Sequence, residues 1–142
     1  MNAVPTWLLV ALGVIVALVG MNLLMPHAAL DTTLRTSTPE ILQVEFPAEI
    51  TADGENVTGH VRFRDLEGDI ARAEFDVVEA TVFTPFAFDP QVQGVREGTF
   101  EFSIYTVIPQ ETVLRLTLID AQGHRSQSVE FRFTARESED TQ

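Results

Sequence analysis

The sequence predicts an all-β domain, an antiparallel sandwich of about seven strands, behind a single transmembrane helix. Between residues 41 and 134, apolar and polar residues alternate with a period of two, which is typical of strands with one buried face. No helical pattern of about ten residues interrupts this alternation. Ahead of it, residues 7–25 are almost entirely apolar, and Asp31 is the first formally charged side chain.

The N-terminal apolar run has the length of a membrane span. A helix rises about 1.5 Å per residue, so about 20 apolar residues cross a hydrocarbon core of about 30 Å. Residues 6–25 meet that length. Pro5 suits the first helical turn and Pro26 ends the run, because proline is tolerated at a helix start but not inside it. We therefore expect a transmembrane signal anchor over residues 1–26.

A cleaved signal peptide and a buried soluble helix are the alternatives. Signal peptides carry a basic first region and an apolar core of about 7–15 residues, whereas residues 1–6 contain no Lys or Arg and the apolar core is longer. The Pro26-His27 pair before Ala28 also makes a poor cleavage site. These features favour the uncleaved anchor.

The short N-terminal tail places the functional part of the chain after the anchor. We expect a single-pass protein of the cell membrane, with its C-terminal domain outside the cytoplasm. Residues 27–40 are rich in Thr, with Pro39 and little apolar periodicity, which predicts a linker. Residues 136–142 are polar and acidic, which predicts a disordered tail.

Composition limits the possible partners. The net charge is −12, which argues against binding to nucleic acid or to an anionic membrane surface. The chain has no cysteine, so disulfides and thiolate metal sites are excluded. Protein partners in the envelope and divalent cations remain compatible with the acidic surface.

The alternating segments follow one another without long interruptions, and the fourth of them is less regular. They cover residues 41–46, 57–64, 72–77, 80–88, 100–105, 114–119 and 129–134. About seven short strands in this length favour a sandwich of immunoglobulin type, which we place at residues 41–135. Ten phenylalanines between Phe46 and Phe133 supply its core.

Two turn motifs carry a resemblance to known modules. The segment from Asp120 through Gly123 and His124 to Ser126 resembles the D-x-x-G-N-x-S hairpin of many bacterial immunoglobulin-like domains, with His124 in the place of Asn. Residues 65–69, Asp-Leu-Glu-Gly-Asp, resemble the D-x-[DE]-G-D loop of such surface modules. The resemblance implies an immunoglobulin-like or fibronectin type III-like fold and an accessory, adhesive or spacer role.

Four carboxylates form a candidate calcium site. Asp65, Glu67 and Asp69 lie in the loop after the second predicted strand, and Asp120 lies in the loop before the last one. In immunoglobulin-like folds these loops share one end of the sandwich, and calcium takes 6–8 oxygen ligands. The alternative is ordinary turn chemistry, because Asp and Gly are common turn residues and Asp caps its own backbone.

The segment 80–90 holds a candidate partner surface. Phe83, Phe86 and Phe88 cluster there beside Pro85 and Pro90, and prolines confine such a segment to an edge strand or a loop. Clustered phenylalanines at that position predict a partner-binding patch. Alternatively, they cover the open side of the core. Tyr105, out of phase with its strand, is a further candidate for the patch or for a wet sheet face.

No catalytic motif is recognisable, and we expect a protein that is not an enzyme and that holds no cofactor apart from the candidate calcium. The chain lacks a nucleophile elbow, a HExxH pair and a phosphate-binding glycine loop. The sequence therefore predicts a membrane-anchored, extracytoplasmic binding or structural module of a cell-envelope assembly. The alternative is a calcium-dependent adhesion or assembly domain that uses the acidic loops.

Overall fold

The computed structural model describes residues 37–139. The expected anchor at 1–26, most of the linker and residues 140–142 lie outside this range. In the part of the chain that is described, no helix is long and apolar enough to cross a membrane. The described residues belong to one compact unit, and all members of its core lie between Ile41 and Ala135. A unit with its own complete core is expected to fold independently.

The described residues form eight strands in two sheets. Their bounds are β1 Glu40–Glu45, β2 Glu49–Thr51, β3 Val57–Arg64, β4 Ile70–Glu79, β5 Phe86–Phe88, β6 Glu97–Ile104, β7 Gln110–Asp120 and β8 Val129–Arg136. One sheet has the order β1-β3-β6 and the other has the order β2-β8-β7-β4-β5. The predicted all-β, two-sheet sandwich is confirmed.

Two segments differ from the prediction. The strand β2 was not predicted, because three residues after Pro47 are too short to show an alternation. It pairs parallel to β8, with Glu49 opposite Thr134, and the Glu49 carboxylate accepts a hydrogen bond from Arg136. The irregular segment 80–88 contributes only β5, Phe86–Phe88, which pairs with β4.

Aromatic side chains join the two sheets. Phe102 of β6 stacks on Phe46 with ring centroids 5.6 Å apart, and it meets Phe75 of β4 at 4.9 Å. A β-carbon on Gly59 would lie 2.3 Å from Phe102 Cζ. Glycine at this position of β3 therefore allows the Phe102 ring to lie against the backbone, and close packing of this kind is the normal state of a protein core.

The strand directions define two ends of the sandwich. The β3–β4 loop, the β7–β8 loop and the start of β1 share one end, since Glu40 pairs with Arg64 and Ile70 pairs with Asp120. We call this the acidic end, after residues 65–69 and 120. The loops 80–85 and 105–109 lie at the opposite end, where Val57 pairs with Ile104.

Candidate functional site

Three of the four candidate calcium ligands converge at the acidic end. One carboxylate oxygen from each of Glu67, Asp69 and Asp120 lies within 4.8 Å of the other two. The two loops are joined directly, because the Ala121 N–H donates to the Asp69 carbonyl at 3.0 Å. The topology thus brings together carboxylates that are about fifty residues apart in sequence.

Asp65, the fourth candidate, is not one of the three converging carboxylates. Its side chain is buried, with 1% of the residue exposed. Its Oδ2 accepts the backbone N–H of Asp69 at 2.8 Å, which is the turn role that the alternative interpretation expects. Its Oδ1 is buried and makes no hydrogen bond within residues 37–139.

Asp120 organises the β7–β8 turn. Its Oδ1 accepts the backbone N–H groups of Gln122 at 2.9 Å and His124 at 2.8 Å, and its Oδ2 lies 2.8 Å from His124 Nδ1. Burial alone would raise the pKa of Asp120, but the hydrogen bonds and the charge of His124, with the Gln122 N–H, lower the pKa below its ordinary value. Asp120 is therefore an ionised and well-bonded carboxylate.

The pKa of Asp69 is shifted in the opposite direction, above its ordinary value. Burial raises the pKa of the Asp69 carboxyl first of all, and the neighbouring carboxyls of Asp65 and Asp120 raise it further, against a lowering contribution from Gln122. Its Oδ1 is buried and forms no hydrogen bond in the described part of the chain. This carboxyl group lies where either a proton or a cation would relieve the repulsion from its neighbours.

An apolar groove lies at the opposite end of the sandwich. Its volume is about 480 Å³, and its walls are residues 82–86 and 103–108. Seven large hydrophobic side chains are exposed among the described residues, and four of them line this groove. The four are Val82, Tyr105, Val107 and Ile108. Their concentration at one place is typical of an interaction site, whereas scattered single exposures are not.

A buried glutamine fixes one wall of the groove. Gln110, 7% exposed, accepts the backbone N–H groups of Thr81 and Val82, each at 3.0 Å. Its side-chain amide donates to the Val82 carbonyl at 2.8 Å. Gln110 was not predicted from the sequence, because a single Gln at the start of a strand shows no sign of its burial or of its partners.

The three phenylalanines of the predicted partner surface pack mainly against the core. Phe86 stacks on Phe75 with centroids 4.5 Å apart, Phe88 lies 6.1 Å from the same ring, and Phe83 lies 6.3 Å from Phe133. All three are half-buried, as the core-covering alternative expects. Phe83 and Phe86 also line the groove, but Phe88 does not.

Comparisons with known proteins inform the fold alone. No protein-family model matches the chain, and no curated protein matches it. Among solved structures, the chain is similar to the PKD domain of an M14-like peptidase from a Thermoplasmatales archaeon, with 16% identity and a TM-score of 0.55 over 70% of this chain and 97% of that one. This similarity supports an immunoglobulin-like sandwich.

Two more distant similarities carry no argument. A Niemann-Pick type C2 protein from Japanese carpenter ant has 9% identity and a TM-score of 0.46, over 71% of this chain and 95% of its own. A superoxide reductase (neelaredoxin) from Ignicoccus hospitalis has 17% identity and the same TM-score of 0.46, over 71% and 80%. The immunoglobulin-like β-sandwich is therefore supported by the PKD domain and not by these two structures.

Proposed function

We propose that the chain is a non-catalytic binding or structural module of a cell-envelope assembly. In this proposal residues 6–25 anchor it in the membrane and the sandwich lies outside the cytoplasm. The observation that carries the binding role is the apolar groove, which gathers four of the seven exposed large hydrophobic side chains of residues 37–139. Clefts of similar volume elsewhere on the domain are lined mainly by polar groups.

Site-specific photo-crosslinking in the membranes of the natural host tests the binding role. Tyr105 in the groove and Leu66 at the acidic end are each 62% exposed, so each position takes a photoreactive phenylalanine analogue without disturbing the core. We expect a discrete crosslinked species from position 105 and none from position 66. Equal yields from the two positions, or none from either, would contradict a partner at the groove.

The anchoring part of the proposal rests on the apolar run of residues 7–25, which has the length of a membrane span. Alkaline carbonate extraction should leave the full chain in the membrane fraction. Protease added from outside the cell should digest the sandwich, and protease confined to the cytoplasm should not. Extraction into the soluble fraction would contradict the anchor, and the reverse protease pattern would contradict the orientation.

A calcium-dependent adhesion or assembly domain is the second candidate function. The observation that favours it is that Asp65 Oδ1 and Asp69 Oδ1 are buried without a hydrogen bond in the described residues. They lie beside the converging carboxylates of Glu67, Asp69 and Asp120. A buried polar oxygen without a partner is unfavourable, and a hard cation with oxygen ligands would satisfy several of these oxygens together.

Thermal melts of residues 36–142 with calcium and with chelator test this second candidate. Calcium at a hundredfold excess over its dissociation constant adds about 2.7 kcal/mol to the free energy of unfolding. We expect that Asp69→Asn removes the calcium-dependent shift, and that Asp76→Asn, a matched change of an exposed β4 carboxylate, keeps it. Identical melts of the unmodified domain with calcium and chelator would leave turn chemistry as the whole role of the cluster.

A further inference from the structure

We propose that the apolar groove binds an extended segment of a partner protein, with a large apolar side chain in the groove and Lys or Arg residues beside it. This inference rests on the proposed binding function and specifies the chemistry of the partner. Three features of the groove lead to it: two open strand edges, an apolar lining and an acidic surrounding.

The groove lies between the outer strands of the two sheets. In the described part of the chain, β5 pairs only with β4, and β6 pairs only with β3. Phe86 of β5 and Ser103 and Ile104 of β6 line the groove from its two sides. An edge strand presents unpaired backbone N–H and C=O groups, so a peptide in the groove can add to the sheet by main-chain hydrogen bonds. This mode of binding requires an extended peptide.

The lining selects an apolar side chain. The volume of about 480 Å³ lies within the roughly 300–1,000 Å³ of pockets that hold small organic groups. Tyr105 and Val107, at 62% and 65% exposure, form a rim that a bound aromatic or branched side chain would cover. Covering such surface is favourable by about 25 cal/mol for each Å² removed from water.

The charges around the groove select a basic partner. Residues 79–95 and 97–114, which include the groove walls and both open edge strands, contain no arginine or lysine. Glu79, which directly precedes the 80–85 loop, and Glu111, which follows the buried Gln110, are exposed acidic residues close in sequence to the groove walls. Neither forms an ion pair within residues 37–139. Complementary charge directs encounter and rejects partners of like charge, so an acidic segment is disfavoured here.

The groove walls are fixed before any partner binds. Gln110 holds the backbone of Thr81 and Val82. On the other wall, Thr106 Oγ1 accepts the N–H of Ile108 and lies 3.1 Å from the Ile108 carbonyl. A prearranged wall reduces the entropy lost on binding, which favours recognition of a short segment.

Fluorescence anisotropy with three labelled pentapeptides tests the proposal on residues 36–142, after a cooperative melt has established that this unit folds alone. The peptides are Arg-Val-Phe-Val-Arg, its acidic counterpart Glu-Val-Phe-Val-Glu, and the polar Arg-Ser-Ser-Ser-Arg. At low salt we expect the first to bind at least tenfold more tightly than either of the others. Equal affinities for the three peptides, or no binding of any, would overturn the proposal.

Variants locate the binding and test its charge preference. Val107→Asp should weaken binding of the basic apolar peptide at least tenfold, and the matched change Leu66→Asp at the acidic end should leave it unchanged. Glu79→Arg combined with Glu111→Arg should transfer the preference to the acidic apolar peptide. Equal effects of the two Asp variants, or an unchanged preference in the double variant, would contradict the groove as the site or the charge argument.

Two further measurements distinguish self-association, and a partner of different chemistry, from the proposed partner. A concentration-dependent dimer in sedimentation that Val107→Asp dissociates would overturn the proposal, because the occupant would then be a second copy of this chain. A crosslink from position 105 in membranes, together with no preference among the peptides, would overturn the partner chemistry alone. Loss of both the crosslink and the peptide binding would overturn the proposed binding function as well.

Discussion

Each end of the sandwich has one loop that joins the two sheets and one loop that joins strands of the five-stranded sheet, but the buried polar groups of the two ends differ in their hydrogen bonding. At the acidic end, hydrogen-bond acceptors are in excess: Asp65 Oδ1 and Asp69 Oδ1 are buried and find no donor in the described chain. At the groove, the buried amide of Gln110 is matched to backbone groups, and the excess is apolar surface. The acidic end therefore suits a proton or a cation, and the groove suits an apolar group.

The largest expected effect comes from the side chain that organises the acidic end. Asp120→Ala removes three hydrogen bonds to a buried carboxylate, and hydrogen bonds to charged groups contribute about 1.5–3 kcal/mol each before neighbours compensate. We expect a loss of about 3 kcal/mol in the free energy of unfolding at neutral pH, measured by urea denaturation. A loss below about 1 kcal/mol would contradict the organising role.

The corresponding side chain at the groove should have a slightly smaller effect. Gln110→Ala leaves the N–H groups of Thr81 and Val82 and the Val82 carbonyl without their partner. Each buried unsatisfied group is unfavourable by about 1–3 kcal/mol, and water admitted by the truncation offsets part of this. We expect a loss of about 2 kcal/mol. Gln127→Ala, a change of an exposed glutamine, is the matched control and should change stability by less than about 0.5 kcal/mol.

These two residues also show how far the sequence could predict the sites. Asp120 was expected to lie near the 65–69 loop as a candidate calcium ligand, because these two loops share one end of an immunoglobulin-like sandwich. Gln110 was not predicted, because its partners Thr81 and Val82 are almost thirty residues away and follow no periodic pattern. The strand β2 was not predicted for a similar reason, because its pairing with β8 joins segments that are far apart in sequence.

The groove was predicted only in part. The segment around Phe83 and Phe86 was expected to offer a surface, and Tyr105 was expected to join it or to lie on a wet sheet face. The alternation of apolar and polar residues predicts which face of each strand is buried. It does not predict that Val82, Val107 and Ile108 are exposed at one place. Their exposure depends on how the loops 80–85 and 105–109 pack next to each other in the folded domain.

A pH titration distinguishes the two carboxylates of the acidic end. The pKa of Asp120 is lowered, so its contribution is present above its ordinary pKa and is lost as pH falls through the folded-state value. The pKa of Asp69 is raised, so its charged form opposes folding at neutral pH, and stability recovers as pH falls through the raised value. In chelator, we expect stability to increase on mild acidification and then to decrease.

Substitutions show which carboxylate causes the increase and which causes the decrease in the free energy of unfolding as the pH falls. Asp69→Asn should remove the increase on mild acidification, and Asp120→Asn should weaken the decrease at lower pH. Urea denaturation at a series of pH values measures both. A profile that Asp69→Asn leaves unchanged would mean that neither the burial of the Asp69 carboxyl nor the repulsion from Asp65 and Asp120 opposes folding.

The smallest expected effect is the one that separates stability from binding. Leu66 and Tyr105 are large apolar side chains at opposite ends, each 62% exposed, and replacement of exposed side chains usually changes stability by less than about 0.5 kcal/mol. We therefore expect Leu66→Ala and Tyr105→Ala to unfold at nearly the same urea concentration. Their binding of the basic apolar peptide should differ, because Tyr105 lines the groove and Leu66 lies at the opposite end of the sandwich. If Tyr105→Ala instead lost stability by more than about 1 kcal/mol, the exposed apolar surface of the groove would belong to the fold and not to a partner.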